Sequence, residues 1–478
     1  MGIDVWEKTE PGWATSTRAH YAFKWCLEIL RPAILTRGPR KELIPTAYLD
    51  GLRGFAAFLV YWQHHQVWAR VAISAGHIFE NAYGYEGRYY FACLPFVRLF
   101  VTGGHIAVSV FFVISGHVLS AKPLALIHAG ELVKLEDSLA SAMFRRWLRL
   151  FIPALCTTFI YMTSWHLFGI WTAYPEHELT YRDELWNWYV QFKGFSWIFR
   201  GGNNLWLSYN FHLWSIPVEF RGSIVIFTSL LAFSRCTRNA RLLCQVGLII
   251  YFMYIVEGTL YALFVGGALL CDLDMLARKG DLPEFFSNLE PYKTRIFYAL
   301  FIIGWYLSGV PSFVADHELL RQSPGWKWLY HLRPQFDTEE DHKWFYLFWA
   351  ATFLTASIPR ISWLKYFFET RFCQYLGRIS FAFYLIHGPV LWTVADRIYL
   401  AVGWSRENNV DGLMDWINIG PLLPKTGPLG LEPGFLLPHL IILPFTLWLA
   451  EIATKLFDRP SIRFAGWTYR KALLQNRG

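Results

Sequence analysis

An arginine and a histidine, Arg53 and His64, stand eleven residues apart in the run YLDGLRGFAAFLVYWQHH at residues 48–65. At 3.6 residues per turn this is close to three turns, so both fall on one helical face, about 16 Å apart along the axis. Ala57 and Val60 lie between them on that stripe. Both are small, which describes a narrow groove with a cation at its mouth and an imidazole inside. A neutral imidazole takes a proton from a hydroxyl near neutral pH. His65 points about 100° away from His64 and is secondary. Two further stretches repeat the habit. His212, Ser215 and Glu219 in HLWSIPVEF, and Ser380, Tyr384 and His387 in SFAFYLIH, each return to one helical face. Such stripes can move protons and stabilise an oxyanion. Arg145, Arg146 and Arg149 in RRWLRL add guanidinium groups, which bind phosphates bidentately.

Each feature alone has a plainer explanation. Arg53 is then an interfacial anchor paired with Asp50 one turn earlier. A buried histidine is satisfied by a neighbour, and arginines before an apolar span set its orientation. Three polar stripes on separate apolar segments are harder to treat as accidents. Ionisable groups inside a bilayer are costly and face a protein interior or a water-filled cavity. Together they imply a polar cavity within a helical bundle. The glycines and serines of GGHIAVSVFFVISGH at 103–117 suit close helix packing.

The elements that must hold these stripes are of membrane length. Of 478 residues, 54% are hydrophobic, 19% aromatic and 17% charged. The apolar residues fall in blocks approaching the ~20 residues that cross a bilayer core. The fold class is therefore an all-α polytopic transmembrane bundle of about ten spans. They are expected near 49–68, 100–121, 149–171, 211–233, 241–256, 258–272, 294–311, 344–359, 374–396 and 434–456. The fifth and sixth are short and separated by Glu257 and Gly258, which suits a tight hairpin or a pair of broken helices. An even number places both termini on one side. The loops on that side hold roughly twice the Lys and Arg of the opposite loops, which predicts cytosolic termini. The formal charge of +8 thus reflects orientation and gives no argument for a nucleic-acid partner.

Residues 1–47 are expected to form a cytosolic segment. Within it, residues 20–35 mix apolar and basic side chains at helical spacing, for the membrane surface or for packing as a cytosolic helix. Residues 48–457 form the transmembrane domain and 458–478 a cytosolic basic tail. No secretory signal peptide opens the sequence, and the run from Leu49 is expected to act as an uncleaved signal anchor. The seven cysteines lack metal-ligand or redox spacing, so no metal site is expected. Only Cys93 falls in an opposite-side loop, so no disulfide framework is expected there. Trp186, Trp188, Trp197 and Trp206 suit an interfacial aromatic belt.

The ordered set LDGLRG with its Arg53–His64 pair, GGHIAVSVFFVISGHVLS, RRWLRLFIP, LWSIPVEFRGS and ISFAFYLIHGP resembles the acyltransferase-3 family of integral membrane O-acyltransferases. The resemblance spans about residues 48–390, and LWSIPVEFRGS looks most like fungal members. It implies transfer of an acyl group, often acetyl, from acyl-CoA to a hydroxyl, with Arg53 and His64 the required pair. Ser115 and Gly116 match the family's FFVLSG segment. Trp214, Ser215 and Glu219 match its WS…E segment, and Tyr384 and His387 its YL-x-H segment. His117 stands where an aromatic is usual. No SGNH-type soluble domain is seen in the sequence, which argues against an envelope-polysaccharide role.

The mechanism implied takes acyl-CoA as a co-substrate from the cytosol, with no permanently bound cofactor. Arg53, Arg145, Arg146 and Arg149 hold its phosphates. His64 takes the acceptor's proton, Glu219 orients an imidazole, and Ser215, Tyr384 or His387 donate to the oxyanion. The expected acceptor is a small lipophilic alcohol of secondary metabolism, such as a terpenoid or polyketide, entering from the bilayer. A sugar or glycan on the lumenal side is the alternative acceptor. The endoplasmic reticulum or another endomembrane is the expected location. A transporter with an intramembrane proton relay is a different class. Transporters often show duplicated helices, and no internal repeat is evident here.

Overall fold

Long apolar runs with few internal breakers dictate helices, and the computed structural model is built of them. It describes residues 15–33, 42–69, 84–85, 88–170, 172, 176–199, 206–311, 317–334, 342–404 and 423–474. The principal helices are α1 (Thr15–Leu30), α2 (Ala47–Ala69), α3 (Gly104–His128), α4 (Leu132–Phe168), α5 (Tyr181–Ser196), α6 (Ser215–Ala232) and α7 (Arg238–Tyr254). They continue as α8 (Thr259–Lys279), α9 (Lys293–Leu307), α10 (Lys343–Ser357), α11 (Arg371–Val390), α12 (His439–Ala453) and α13 (Arg459–Leu474). A 3-10 segment, Ser208–Trp214, leads into α6. The described strands are two-residue rungs, Gly84–Tyr85 paired with Arg88–Tyr89.

A helix occupies each of the ten expected positions. Among the described residues, six helical stretches are long and apolar enough to cross a membrane: Gly104–His128, Leu132–Phe168, Ser208–Ala232, Thr259–Lys279, Arg371–Ala401 and Pro433–Leu473. Length and composition thus make six of the ten expected spans candidates for crossing the membrane. Helices α7, α9 and α10 have 17, 15 and 15 residues. Helix α2 has 23 residues but spends several positions on Asp50, Arg53 and the polar run Gln63–Gln66. Between α7 and α8, Glu257 takes a left-handed φ of 53°, and the two helices pack on each other as a hairpin. The expected basic tail contains α13, which continues α12 through a π turn, Thr454–Asp458. It packs on α4, with Phe144 and Tyr469 rings 5.4 Å apart.

Two contacts set the frame of the bundle. Helices α2 and α11 cross at backbone distance. A Cβ on Gly54 would lie 2.3 Å from the amide nitrogen of Gly377, and one on Gly377 would lie 2.3 Å from the carbonyl oxygen of Asp50. Only glycine permits that approach. Helices α3, α7 and α8 are tied by a fully buried carboxylate. Asp272 accepts from Arg241 Nε at 2.7 Å, His128 Nε2 at 2.8 Å and Gln245 Nε2 at 2.9 Å. A buried charge with these partners is compensated, and removing one partner would be costly.

Helix α1 is anchored at its C-terminal end. Lys455 Nζ donates to the carbonyls of Glu28, Ile29 and Arg31 at 3.1, 2.9 and 2.9 Å. Trp448 Nε1 donates to Leu30 O at 2.8 Å, and Ala33 N to Glu451 Oε2 at 2.6 Å. The bonds from Lys455 and Trp448 satisfy carbonyls that the end of a helix leaves open. Phe23, Trp25 and Leu27 remain more than half exposed.

Candidate active site

Helices α2, α3, α4, α6 and α11, with the π turn after α12, line a cavity of about 210 Å³. Arg53, Arg146, Arg149 and Arg378 line it, with Glu219 and Asp458 opposing them and Ser115, Ser215, Ser380 and Tyr384 completing its polar wall. Four guanidinium groups against two carboxyl groups leave an excess of positive charge, suited to an anion. Arg53 donates to the Gly377 carbonyl at 2.9 Å and pairs with Asp50 at 3.0 Å. Its Nε is buried without a hydrogen-bond partner. It therefore faces the interior as well as making the pairing expected of an anchor.

The arginine triplet divides. Helix α4 begins at Leu132, well before the expected start near 149, so the triplet lies within a helix and not on a loop. Arg146 and Arg149 are one turn apart and share the cavity face. Arg145 points away, is exposed, and donates to Ser141 O at 3.0 Å. It does not join the cavity, against the expected four-arginine clamp. Glu219 is also placed differently from expectation. Ser115 Oγ donates to it at 2.5 Å and the Arg146 guanidinium donates to the same oxygen, while Arg146 Nε holds Ser223 Oγ at 2.7 Å. Glu219 braces the cavity wall; the imidazoles have other neighbours. Ala57 and Val60 are buried and neither lines the cavity, so the cavity does not follow the narrow groove expected along them.

Ser215 and Tyr384 close the inner end. Their hydroxyls are 2.8 Å apart, and Tyr384 donates to the carbonyl of His212. Ser215 is then the donor to Tyr384. Donation to an oxyanion requires one of these bonds to open.

Beyond Tyr384 lies a cluster of three imidazoles. The His64 ring is 3.9 Å from His212 and 5.2 Å from His387, and His212 and His387 are 4.8 Å apart. The Tyr384 ring is 5.6 Å from His387. His387 Nδ1 donates to the Tyr384 carbonyl at 2.6 Å, which leaves Nε2 with the lone pair. That nitrogen and His212 Nδ1 are buried without hydrogen-bond partners. Both can accept a proton, and the group can hold a metal ion.

The position of His212 was only partly legible. Its spacing with Ser215 and Glu219 implies one helical face, but His212 lies in the 3-10 segment, where Asn210 leaves helical geometry (φ −163°, ψ 84°). The break turns His212 to the histidines while Ser215 and Glu219 face the cavity. Packing fixes it there. Asn210 Nδ2 donates to Leu385 O at 2.9 Å, and Trp392 stacks on His212 at 5.0 Å. Tyr209 of the same segment donates to the buried Glu184 carboxylate at 2.5 Å. His65 belongs to a separate chain, with Nδ1 2.9 Å from Tyr399 OH, which meets His439 Nε2 at 3.1 Å; His439 Nδ1 meets Tyr61 OH at 2.8 Å. His117, the departure from the family pattern, sits 3.6 Å from Asp274, which also takes Arg360.

The chain matches a family model described as "Acyltransferase domain" over residues 46–424. O-acetyltransferase PaAT-1 of Phomopsis amygdali is 28% identical, with 94% of this chain and 89% of that protein covered. No solved structure matches the chain.

Proposed function

The chain belongs to the acyltransferase-3 family, and on that premise we propose that it is a membrane O-acetyltransferase that moves acetyl from acetyl-CoA to the hydroxyl of a small lipophilic alcohol. The observation that carries this is the succession of an arginine-lined cavity, a Ser215–Tyr384 hydroxyl pair and an imidazole cluster. The acetyl specificity is supported by the named activity of the similar Phomopsis amygdali protein. The arginine-rich end is assigned to the cytosol, where acyl-CoA is available, and the protein to an endomembrane such as the endoplasmic reticulum.

In this scheme Arg53 and Arg149 hold the phosphates of the donor. Arg146 is engaged by Glu219 and Ser223 and shapes the wall. The thioester lies against Ser215 and Tyr384. The acceptor oxygen attacks the thioester carbonyl while His64 takes its proton. Ser215 or Tyr384 turns its hydroxyl from its present partner to the developing oxyanion. The carbon–sulfur bond then breaks, and His64 returns the proton to the departing CoA thiolate. The alcohol is proposed to be a terpenoid or polyketide intermediate entering from the bilayer.

The test is CoA release from acetyl-CoA by protein in membranes, with extracts of the producing organism as the acceptor source. Wild type should give free CoA and an ester whose mass names the acceptor, while His64→Ala and Arg53→Ala give neither. Equal silence of wild type and both variants, with folded protein, would refute the assignment.

A further inference from the structure

His64, His212 and His387 come from three separate elements, and their candidate ligand nitrogens all lie within 4.8 Å of one another. Three imidazoles with a fourth position open form a donor set that suits zinc and neighbouring divalent transition metals. Two observations go beyond proximity. The bond from His387 Nδ1 to the Tyr384 carbonyl is the outer support typical of a metal-ligating histidine, since it fixes the tautomer and aims the other nitrogen. That other nitrogen, His387 Nε2, and His212 Nδ1 are both buried without hydrogen-bond partners. Buried polar atoms are nearly always satisfied, so two orphaned nitrogens on rings 4.8 Å apart mark a place for a ligand.

We propose that these three imidazoles bind a divalent transition-metal ion of the zinc class, and that this binding blocks acyl transfer. The second part rests on the acyltransferase function proposed above. The His64 lone pair that accepts the hydroxyl proton is the one a metal takes, so the two events exclude each other. The geometry is close to a bound state. With Zn–N of about 2.05 Å, tetrahedral ligation puts imidazole centres roughly 5 Å apart. His212–His387 at 4.8 Å and His64–His387 at 5.2 Å already meet this. His64–His212 at 3.9 Å must open by about 1 Å. His64 is the ligand free to move, being half-buried while the other two are pinned by Tyr384 and Trp392. The set contains no carboxylate, so the ion keeps its charge in a poorly solvated site. That favours reversible occupancy with an anion or hydroxide as fourth ligand.

The probe is Co²⁺ added to detergent-purified protein stripped with a chelator, read by its visible d–d absorption. One tetrahedral Co²⁺ per chain is expected. His212→Gln and His387→Gln should each weaken it at least tenfold, with melting temperature confirming the fold, and His65→Gln should leave it unchanged. In parallel, stripped wild type should release CoA from acetyl-CoA, Zn²⁺ should suppress this, and chelator should restore it. Absence of a cobalt signal in wild type, or a signal indifferent to both substitutions, overturns the site. Activity lost on stripping and regained with Zn²⁺ overturns the blocking role. Cobalt binding with no transferase activity under any condition supports the site and overturns the acyl-transfer assignment.

Discussion

Gly388 tests whether His212, whose ring packs 3.9 Å from that of the proposed base His64, positions that base. A methyl at 388 would lie 2.6 Å from His212 Nδ1 and 2.9 Å from Asn210 Oδ1, where ordinary contact is about 3.5 Å. The His212 ring must therefore retreat by about 1 Å. Trp392 covers one face of that ring, and Asn210 is held by Leu385 O, so retreat disturbs the 3-10 segment as a whole. Overpacking of this kind costs about 1–3 kcal/mol, and the better helix propensity of alanine offsets about 1 kcal/mol of it. Gly388→Ala should therefore fold with a small loss of stability. Misplacing an aligned group by about 1 Å costs on the order of 10²-fold in rate. The expected result is a kcat roughly a hundredfold lower with KM for acetyl-CoA unchanged, since Gly388 is not among the cavity-lining residues. CoA release in proteoliposomes and a detergent melting curve measure both. Activity within twofold of wild type in a folded variant would refute the claim that His212 positions His64.

Three other outcomes are expected. Glu219→Gln leaves Arg146 without its buried counter-charge and should cost about 3 kcal/mol, seen as a lower melting temperature; the Arg146→Leu/Glu219→Leu double variant should recover part of it. Arg149→Ala should raise KM for acetyl-CoA about tenfold, the loss of one charge-assisted contact, while Arg145→Ala leaves KM unchanged; equal effects would mean the triplet acts as a surface charge. Tyr384→Phe should lower kcat by about 10²-fold without changing KM, as removal of an oxyanion donor does, and an unchanged kcat would assign that role to Ser215.

The bundle was legible because apolar blocks have one good structural solution in a bilayer. The chemistry was legible where both partners lie on one helix: Arg53 with Asp50, and Tyr384 with His387. It failed where the partner is remote in sequence. The Ser115 and Arg146 bonds to Glu219 span 104 and 73 residues, and spacing along α6 carries no trace of them. The inclusion of Arg145 failed because the true start of α4, at Leu132, lies in a polar stretch that hydropathy does not mark. His212 was named but placed by α-helical spacing, and nothing local announces the break at Asn210. The cue was the mere presence of three histidines in separate polar stripes.

The clasp between α1 and the end of α12 with its π turn has a consequence for biosynthesis. Its bonds join residues 418 to 427 positions apart. During synthesis α1 emerges long before Trp448 and Lys455 exist, so it spends nearly the whole of translation without its seat. Non-local contacts of this kind form late. With Phe23, Trp25 and Leu27 uncovered even in the finished fold, a membrane surface would offer the nascent helix a holding place. A truncation before Trp448 would leave α1 unclasped with most of the bundle intact, and protease sensitivity near residue 30 would report whether the last helix had been inserted.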